Sequence, residues 1–231
     1  MTQFRNRLLH PPDSRRAIRF AGLERVELAF GDVLHESGAR MGHVYFPDES
    51  AVSLIATHGQ GANPVEVALV GREGVVGASV ALGVDVSPVR AAVQGAGEAM
   101  RATPAQFRAG LAHNGGLRRG VLRYQYELTS QVMQIAACNR NHSIEQRLAR
   151  WLLMMRERTL QDRVVLTQRF LGAMLGVRRA GVNEAAGSLQ RRKLIRLGRG
   201  RMDILDLDGV EDAACACYGA LRLNKTGTVP T

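Results

Sequence analysis

The chain has 231 residues, with 31 lysines and arginines against 21 aspartates and glutamates, so its formal net charge is +10. An apolar content of 45% is ordinary for a globular protein and argues against wholesale disorder. The apolar runs are far shorter than the roughly 18–20 residues that cross a bilayer, the N-terminus lacks the apolar stretch of a secretory signal, and three cysteines give no disulfide framework. We therefore expect a cytoplasmic protein with no membrane partner and with one large or two small domains.

The basic excess is concentrated near the C-terminus. Between Arg163 and Arg201, ten basic residues stand against one acid, Glu184, which gives +9 in 39 residues and leaves +1 for the other 192. Such a cluster attracts a polyanion by releasing counterions, and DNA phosphates are the obvious target. A merely solvated surface is the alternative, although solvated faces ordinarily mix both signs of charge.

Short segments of apolar and polar residues between turn signals fill the first third of the chain. They predict strands over 26–30, 33–35, 43–46, 51–56, 65–70, 90–94 and 98–102. Strands of this length and spacing favour a β-sandwich or barrel over alternating βαβ units. Thr103 and Pro104 are typical of the cap and first position of a helix.

From residue 117 the apolar residues recur about every 3.5 positions, which predicts a long helix to about residue 139. Core packing explains part of this stripe, but a helix that joins two compositionally different halves favours pairing with a copy of itself. The predicted dimer seam comprises Leu117, Val121, Tyr124, Leu128, Gln131, Ile135 and Cys138. A capping box of Ser143 and Gln146 starts the next helix, with a hinge before it.

The segment that follows has the pattern of a helix-turn-helix. A short helix over 168–175, capped by Thr167, ends at Gly176, and a second helix is predicted over 178–192. The leading turns of such a second helix reach base edges in the major groove, where arginine pairs with guanine, asparagine with adenine and glutamate with cytosine. The residues predicted to read bases are Arg178, Arg179, Asn183, Glu184 and Ser188.

Two apolar strands over 194–197 and 202–207, joined by a turn of glycine and arginine, predict a β-hairpin wing, and a closing helix is predicted over 208–218. The basic end of the second helix and the wing tip suit phosphate contacts, which position a protein on the duplex. The residues predicted to contact phosphates are Thr167, Gln168, Arg169, Arg191, Arg192, Lys193, Arg199 and Arg201.

This order of parts resembles the Crp/Fnr family of bacterial transcription regulators, most specifically in the tail, which reads LTQ at 166, LGVRR at 175 and LQRRKLI at 189. The resemblance implies an α+β protein with a β-roll like that of cyclic-nucleotide-binding domains over 1–116, a dimerisation helix and hinge over 117–141, and a winged helix-turn-helix DNA-binding domain over 142–231. It also implies a homodimer on a near-palindromic double-stranded DNA site, with RNA polymerase as a further partner.

Two departures from the family pattern bear on specificity. Arg179 matches the first arginine of the family's Arg-Glu-x-x-x-Arg reading pattern, but Ala180 and Glu184 stand where the glutamate and the second arginine would be. In the β-roll, Gly77 is followed by Ala78 and Ser79, so the glutamate that holds a cyclic nucleotide's ribose is missing. The groove placement is therefore implied, whereas the family's usual half-site is not.

Cyclic AMP or GMP is accordingly disfavoured as an effector, while another small molecule or anion and a purely structural β-roll both stay open. The residues that would form an effector pocket are Gly74, Gly77, Ala78, Ser79 and Arg90.

No metal or other cofactor is expected. No cysteine precedes Cys138, the spacing of Cys215 and Cys217 is unlike that of paired thiolate ligands, and the histidines offer no i, i+4 pair. Cys215 and Cys217 are interpreted as small buried side chains.

The sequence holds no nucleophile elbow, zinc-protease motif or phosphate loop, so no enzymatic activity is expected. The alternative function is a ligand-sensing module that works through protein partners and attaches to nucleic acid without specificity.

Overall fold

The computed structural model describes residues 5–12, 17–57, 64–166 and 168–222. The chain divides into two compact units, Met1–Val132 and Met133–Thr231. The boundary falls inside a long helix, so one continuous element contributes residues to both units.

The first unit is a β-roll of two antiparallel sheets followed by helices. Its strands are β1 (Glu24–Leu28), β2 (Val33–His35), β3 (Val44–Pro47), β4 (Ala51–Ala56), β5 (Val65–Val70), β6 (Arg90–Gly95) and β7 (Gly97–Ala102). One sheet has the order β1-β7-β3 and the other β2-β6-β4-β5. Each strand expected from the sequence is present, with bounds that differ by no more than two residues.

Two helices follow the strands. Helix α1 (Pro104–His113) starts with a capping box in which Thr103 and Gln106 bond reciprocally, as the sequence predicted for its start. Helix α2 (Gly115–Asn141) is the predicted long helix, extended by two residues at each end.

The predicted dimer seam on α2 is wrong in its first part. Leu117, Val121 and Tyr124 are 1%, 0% and 3% exposed and belong to the hydrophobic core of the β-roll. A Cβ atom on Gly74 would lie 2.1 Å from the Tyr124 ring, which shows how closely the helix approaches the roll. Leu128 packs against the same core. These side chains are covered by their own chain, so they cannot meet a second copy.

The rest of the seam is wrong for the same reason. Gln131 is 8% exposed, and its Oε1 accepts a hydrogen bond from the Leu69 backbone N–H at 2.6 Å. Ile135 and Cys138 are buried as well. The heptad-like period identified the buried stripe of α2 correctly, but the surface that buries it belongs to the same chain.

A different face of α2 is apolar and exposed. Leu122 is 44% exposed, Tyr126 64%, Val132 37% and Met133 67%. Leu122, Tyr126 and Met133 follow each other by four and seven residues, so they lie along one side of the helix.

The second unit contains the end of α2 and a three-stranded winged helix-turn-helix. Its further elements are α3 (Ile144–Thr159), β8 (Arg163–Val165), α4 (Gln168–Leu175), α5 (Arg179–Arg191), β9 (Ile195–Gly198), β10 (Arg201–Ile204), α6 (Leu207–Ala213) and α7 (Cys217–Leu221). The antiparallel sheet has the order β8-β10-β9. The α+β fold class, the helix pair and the hairpin wing are confirmed.

Two details of this unit differ from the sequence-based expectation. The wing has a third strand, β8, which pairs with β10. The single closing helix is instead two short helices, and α6 begins earlier because Asp206 caps it by accepting a hydrogen bond from the Gly209 N–H at 3.0 Å. Within the described ranges, no helix is both long enough and apolar enough to span a membrane.

Candidate DNA-binding surface

The turn between α4 and α5 is held by backbone and buried contacts. Gly176 has φ 61°, the left-handed conformation that glycine adopts without steric cost, and the Val177 N–H donates to the Gly172 carbonyl at 3.0 Å. Arg147 of α3 is buried, and its guanidinium donates to the Leu175 carbonyl at the end of α4. Its positive charge lies at the negative end of that helix, which is favourable. These contacts define the turn from which α5 starts.

Helix α5 rests on an apolar side and leaves its polar residues outside. Its buried residues are Val182, Ala185, Ala186 and Leu189. A Cβ atom on Gly181 would lie 2.7 Å from Ile144 Cδ1, so α5 approaches the start of α3 closely at this glycine. This packing leaves the leading turns of α5 accessible.

Four of the five residues predicted to read bases are exposed on those leading turns. Arg178 is the N-cap residue of α5, and Arg179, Asn183 and Glu184 follow within its first two turns. Ser188 is half-buried, one turn farther along the helix. The structure thus places two arginines that donate, an asparagine that donates and accepts, and a glutamate that accepts where a recognition helix would present them.

The basic end of α5 is exposed, but its cations differ in their surroundings. Arg191, Arg192 and Lys193 are all exposed, and Arg192 Nη1 forms an ion pair with Glu145 Oε1 of α3 at 2.8 Å. Neither Arg191 nor Lys193 has an ion-pair partner within the described ranges. A phosphate would therefore compete with Glu145 for Arg192.

The cations of the wing also differ in whether they have an ion-pair partner. Gly200 has φ 71° in the turn between β9 and β10, and Arg199 beside it is exposed with no carboxylate partner in the described part of the chain. Asp203 lies 2.6 Å from Arg163 Nε and 3.7 Å from Arg201 Nε. The hydrogen bond from Arg163 lowers the pKa of Asp203. Arg199 is therefore the wing cation most available to an external anion.

Three further residues predicted to contact phosphates lie at the start of the helix-turn-helix. Thr167 lies outside the described residues. Gln168 and Arg169 begin α4.

Residues 146–213, which include α3, the helix pair and the wing, match the family model described as a Crp-like helix-turn-helix domain. The second unit carries a Crp-like helix-turn-helix domain. The comparison with curated proteins finds no match.

Solved structures extend the likeness to most of the chain. FixK2 from Bradyrhizobium japonicum is similar with a TM-score of 0.67 at 13% identity, over 84% of this chain and 98% of its own. A CRP/FNR-family regulator from Thermus thermophilus gives 0.65 at 21%, over 83% and 98%. The c-di-GMP-responsive regulator CLP from Xanthomonas campestris gives 0.62 at 14%, over 80% and 94%. The chain has the Crp/Fnr regulator fold, with a Crp-like helix-turn-helix domain in its second unit.

The predicted effector residues lie in the β-roll that precedes the Crp-like domain. Gly77, with φ 86°, starts a 3-10 helix (Ala78–Leu82), in which Ala78 is 2% exposed and Ser79 half-buried. Gly74 packs beneath the Tyr124 ring, so close packing explains the glycine at this position. Arg90 is exposed, and its Nε lies 3.6 Å from Glu36 Oε2. A pocket formed by these residues remains a prediction.

Sequence reasoning missed a group of side chains that the fold of the second unit brings together. Cys138, His142, Cys215 and Cys217 present ligand atoms that all lie within 4.8 Å of one another. The i, i+4 spacing of Cys138 and His142 was the available signal in the sequence. Cys215 and Cys217 are more than seventy positions away, so nothing in the sequence links them to that pair.

Proposed function

We propose that this protein is a sequence-specific DNA-binding transcription regulator that acts as a homodimer on a near-palindromic site, without enzymatic activity. The observation that carries the proposal is the exposed leading face of α5, which follows a hydrogen-bonded turn within a segment of net charge +9. A helix that projects donors and acceptors from a strongly basic surface suits the major groove, where base edges and phosphates are both within reach.

In this proposal Arg179, Asn183 and Glu184 read base edges. Arginine would donate two hydrogen bonds to guanine, asparagine would pair with adenine, and glutamate would accept from the amino group of cytosine. Arg178, at the N-cap, supplies a further donor at the tip of the helix. Ser188 contributes least, because it is half-buried and farther from the leading turn.

The phosphate-contacting set is ranked by the intramolecular partners of its members. Arg191, Lys193 and Arg199 are exposed and form no ion pair in the described ranges. They can therefore bind a phosphate without breaking an existing ion pair. Arg192 and Arg201 would exchange Glu145 and Asp203 for phosphate. We expect the first group to supply most of the salt dependence of DNA binding.

The proposed dimer interface is the exposed apolar side of α2, defined by Leu122, Tyr126, Val132 and Met133. Leu122, Tyr126 and Met133 form the centre of this surface along one side of the helix, and Val132 lies at its margin. Exposed apolar side chains of this kind mark an interaction surface, and a second copy of α2 presents a self-complementary partner under twofold symmetry. Such a pair would place two α5 helices in successive major grooves, about 34 Å apart. RNA polymerase is the further partner that we propose.

The β-roll would bias the dimer helix, either as a small-molecule sensor or as a fixed scaffold. CLP is described as c-di-GMP-responsive, which indicates that a similar fold can respond to a nucleotide. In this chain Arg90 is paired with Glu36, and Gly77 is followed by Ala78 rather than an acid, so we do not assign a cyclic nucleotide to it.

The direct test is selection of bound sequences from a random duplex pool at physiological ionic strength. We expect an enriched inverted repeat whose half-sites are one helical turn apart, bound by two chains. An enrichment with no symmetry, or no enrichment over the starting pool, would favour the ligand-sensing module with unspecific attachment to nucleic acid. The Leu82→Ala variant, altered at an exposed β-roll position, is the matched control and should select the same sequences.

A further inference from the structure

Within the second unit, three cysteines and a histidine converge from opposite ends of the domain. Cys138 lies on the last turns of α2 and His142 directly follows that helix, while Cys215 precedes α7 and Cys217 begins it. These three are all the cysteines of the chain, so none lies elsewhere. We refer to these four residues as the Cys3His cluster.

The distances within the Cys3His cluster are close to those of a coordination shell. Cys138 Sγ and Cys215 Sγ are 3.9 Å apart, and Cys217 Sγ and His142 Nδ1 are 3.8 Å apart. A tetrahedral zinc ion with Zn–S near 2.3 Å and Zn–N near 2.0 Å has ligand separations of about 3.5–3.8 Å. The widest separation between two ligand atoms in the cluster is at most 4.8 Å, about 1 Å longer than the separation in a tetrahedral site. A side-chain rotation can close this difference.

We propose that the Cys3His cluster is a structural binding site for one tetrahedral, thiophilic divalent cation of the Zn²⁺ type. Four protein ligands leave no open position, which is the arrangement of structural rather than catalytic zinc sites. On binding, the three thiols each release a proton to solvent and coordinate as thiolates, while His142 binds as neutral imidazole. The site replaces the sequence-based expectation that the chain holds no metal.

The surroundings of the cluster provide an outer shell. Gln134 Nε2 lies 2.9 Å from Cys217 Sγ, so its amide can donate a hydrogen bond to a coordinated thiolate. Outer-shell donors of this kind orient the ligands and contribute to metal affinity.

Buried positive charge supplies an independent argument. Arg147 and Arg150 are 6% and 4% exposed, the Nε of each has no hydrogen-bond partner, and no carboxylate within the described ranges forms an ion pair with either. Arg147 interacts electrostatically with Cys138 and Cys215, and Arg150 with Cys215. Three thiolates around a divalent ion carry a net charge of −1. A buried anionic centre that interacts with these two guanidinium groups would compensate positive charge that no carboxylate in the described ranges neutralises.

The position of the site indicates what the ion would do. It would fasten the end of α2 to α7, and α7 packs against α3, the helix on which α5 rests. Metal binding would therefore stabilise the folded second unit, since an ion that binds only the folded state must raise stability. DNA recognition needs no ion in the groove, so this site and the proposed DNA contacts can be tested separately.

The first experiment uses untagged wild-type protein, made metal-free and kept reduced with a non-thiol reductant. We expect competition with a chromophoric chelator to give one Zn²⁺ per chain, and Co²⁺ to give the intense visible spectrum of a tetrahedral thiolate complex. An increase in Tm with Zn²⁺ should accompany binding. Failure to compete with the chelator, or an octahedral cobalt spectrum, would overturn the proposal. So would isolation with an iron–sulfur chromophore or with a Cys138–Cys215 disulfide that resists the reductant.

Two substitutions locate the ion. Cys217→Ser removes a ligand and should weaken Zn²⁺ binding by about 100-fold or more, whereas Gln134→Ala should weaken it by about 10- to 100-fold through the outer shell. His113→Ala, which alters an exposed histidine on α1, is the control and should leave Zn²⁺ affinity unchanged. Equal Zn²⁺ affinity in wild type and Cys217→Ser, with unchanged far-ultraviolet circular dichroism, would place the ion elsewhere and refute the site.

Discussion

Replacement of Met133 by alanine tests the proposed dimer face of α2. Met133 is 67% exposed within one chain, so two-thirds of its side chain is available for burial between two copies. Complete burial of a methionine side chain contributes about 1.5–3 kcal/mol, which gives about 1–2 kcal/mol per copy here. Twofold symmetry removes the contact twice, so the dimer should lose about 2–4 kcal/mol. That loss raises the dimer Kd roughly 30- to 700-fold.

Sedimentation equilibrium over a wide range of protein concentrations measures this change. Leu82→Ala is the matched control, because Leu82 is 61% exposed on the 3-10 helix of the β-roll and should leave the dimer Kd unaltered. The Tm of the monomeric Met133→Ala variant should remain close to that of monomeric wild-type protein, since the side chain has little burial to lose. A dimer Kd within threefold of wild type for Met133→Ala, or an equal weakening by both variants, would refute this interface.

The other expectations concern DNA contacts, a helix cap and pH. Arg179→Ala should weaken binding mainly to the selected duplex, by about 1–3 kcal/mol. Arg199→Ala should weaken binding to all duplexes alike and lower the salt slope by about one. Titrations at several salt concentrations would contradict these roles if both variants lost affinity equally on random DNA. Ser143→Ala removes the capping box of α3 and should cost about 1 kcal/mol in urea unfolding, and a stability equal to wild type would show that the cap contributes nothing. Burial lowers the pKa of His35, so the unfolded state binds the proton more readily; the stability that His35 contributes is complete above pH 6.5 and is lost as pH falls through its folded pKa. His35→Gln should therefore unfold in urea with a flatter pH dependence below pH 6.5, and an unchanged slope would argue against this origin.

The elements predicted well are those whose sequence pattern reports burial directly. Helix α4 was predicted at its observed bounds. Gly176 determines its C-terminal end, and the run of apolar residues determines where it begins. Strand β8 was missed because its three residues are too few to establish an alternating pattern, and one of them is the charged Arg163. It forms only because β10 supplies its hydrogen-bond partners, a contact across about forty residues.

The site was predicted less completely than the fold, and for a related reason. A periodic stripe such as Leu117, Val121 and Tyr124 indicates that a helix face is buried, but it carries no information on which surface buries it. The Cys3His cluster unites two pairs of residues more than seventy positions apart, so the spacing within each pair could not reveal that the pairs meet. The ion pair that engages Arg192 with Glu145 likewise depends on how α3 packs beside α5.

The central claim is that two symmetry-related copies of α5 occupy grooves one helical repeat apart. It is tested most directly by measuring affinity for the selected duplex before and after five base pairs are inserted between its half-sites, at one fixed salt concentration. Five base pairs are about half a turn, so the insertion moves one half-site to the opposite side of the duplex. We expect affinity to fall to the level of random DNA, on the order of a thousandfold or more. Equal affinity for both duplexes would contradict paired recognition by a fixed dimer.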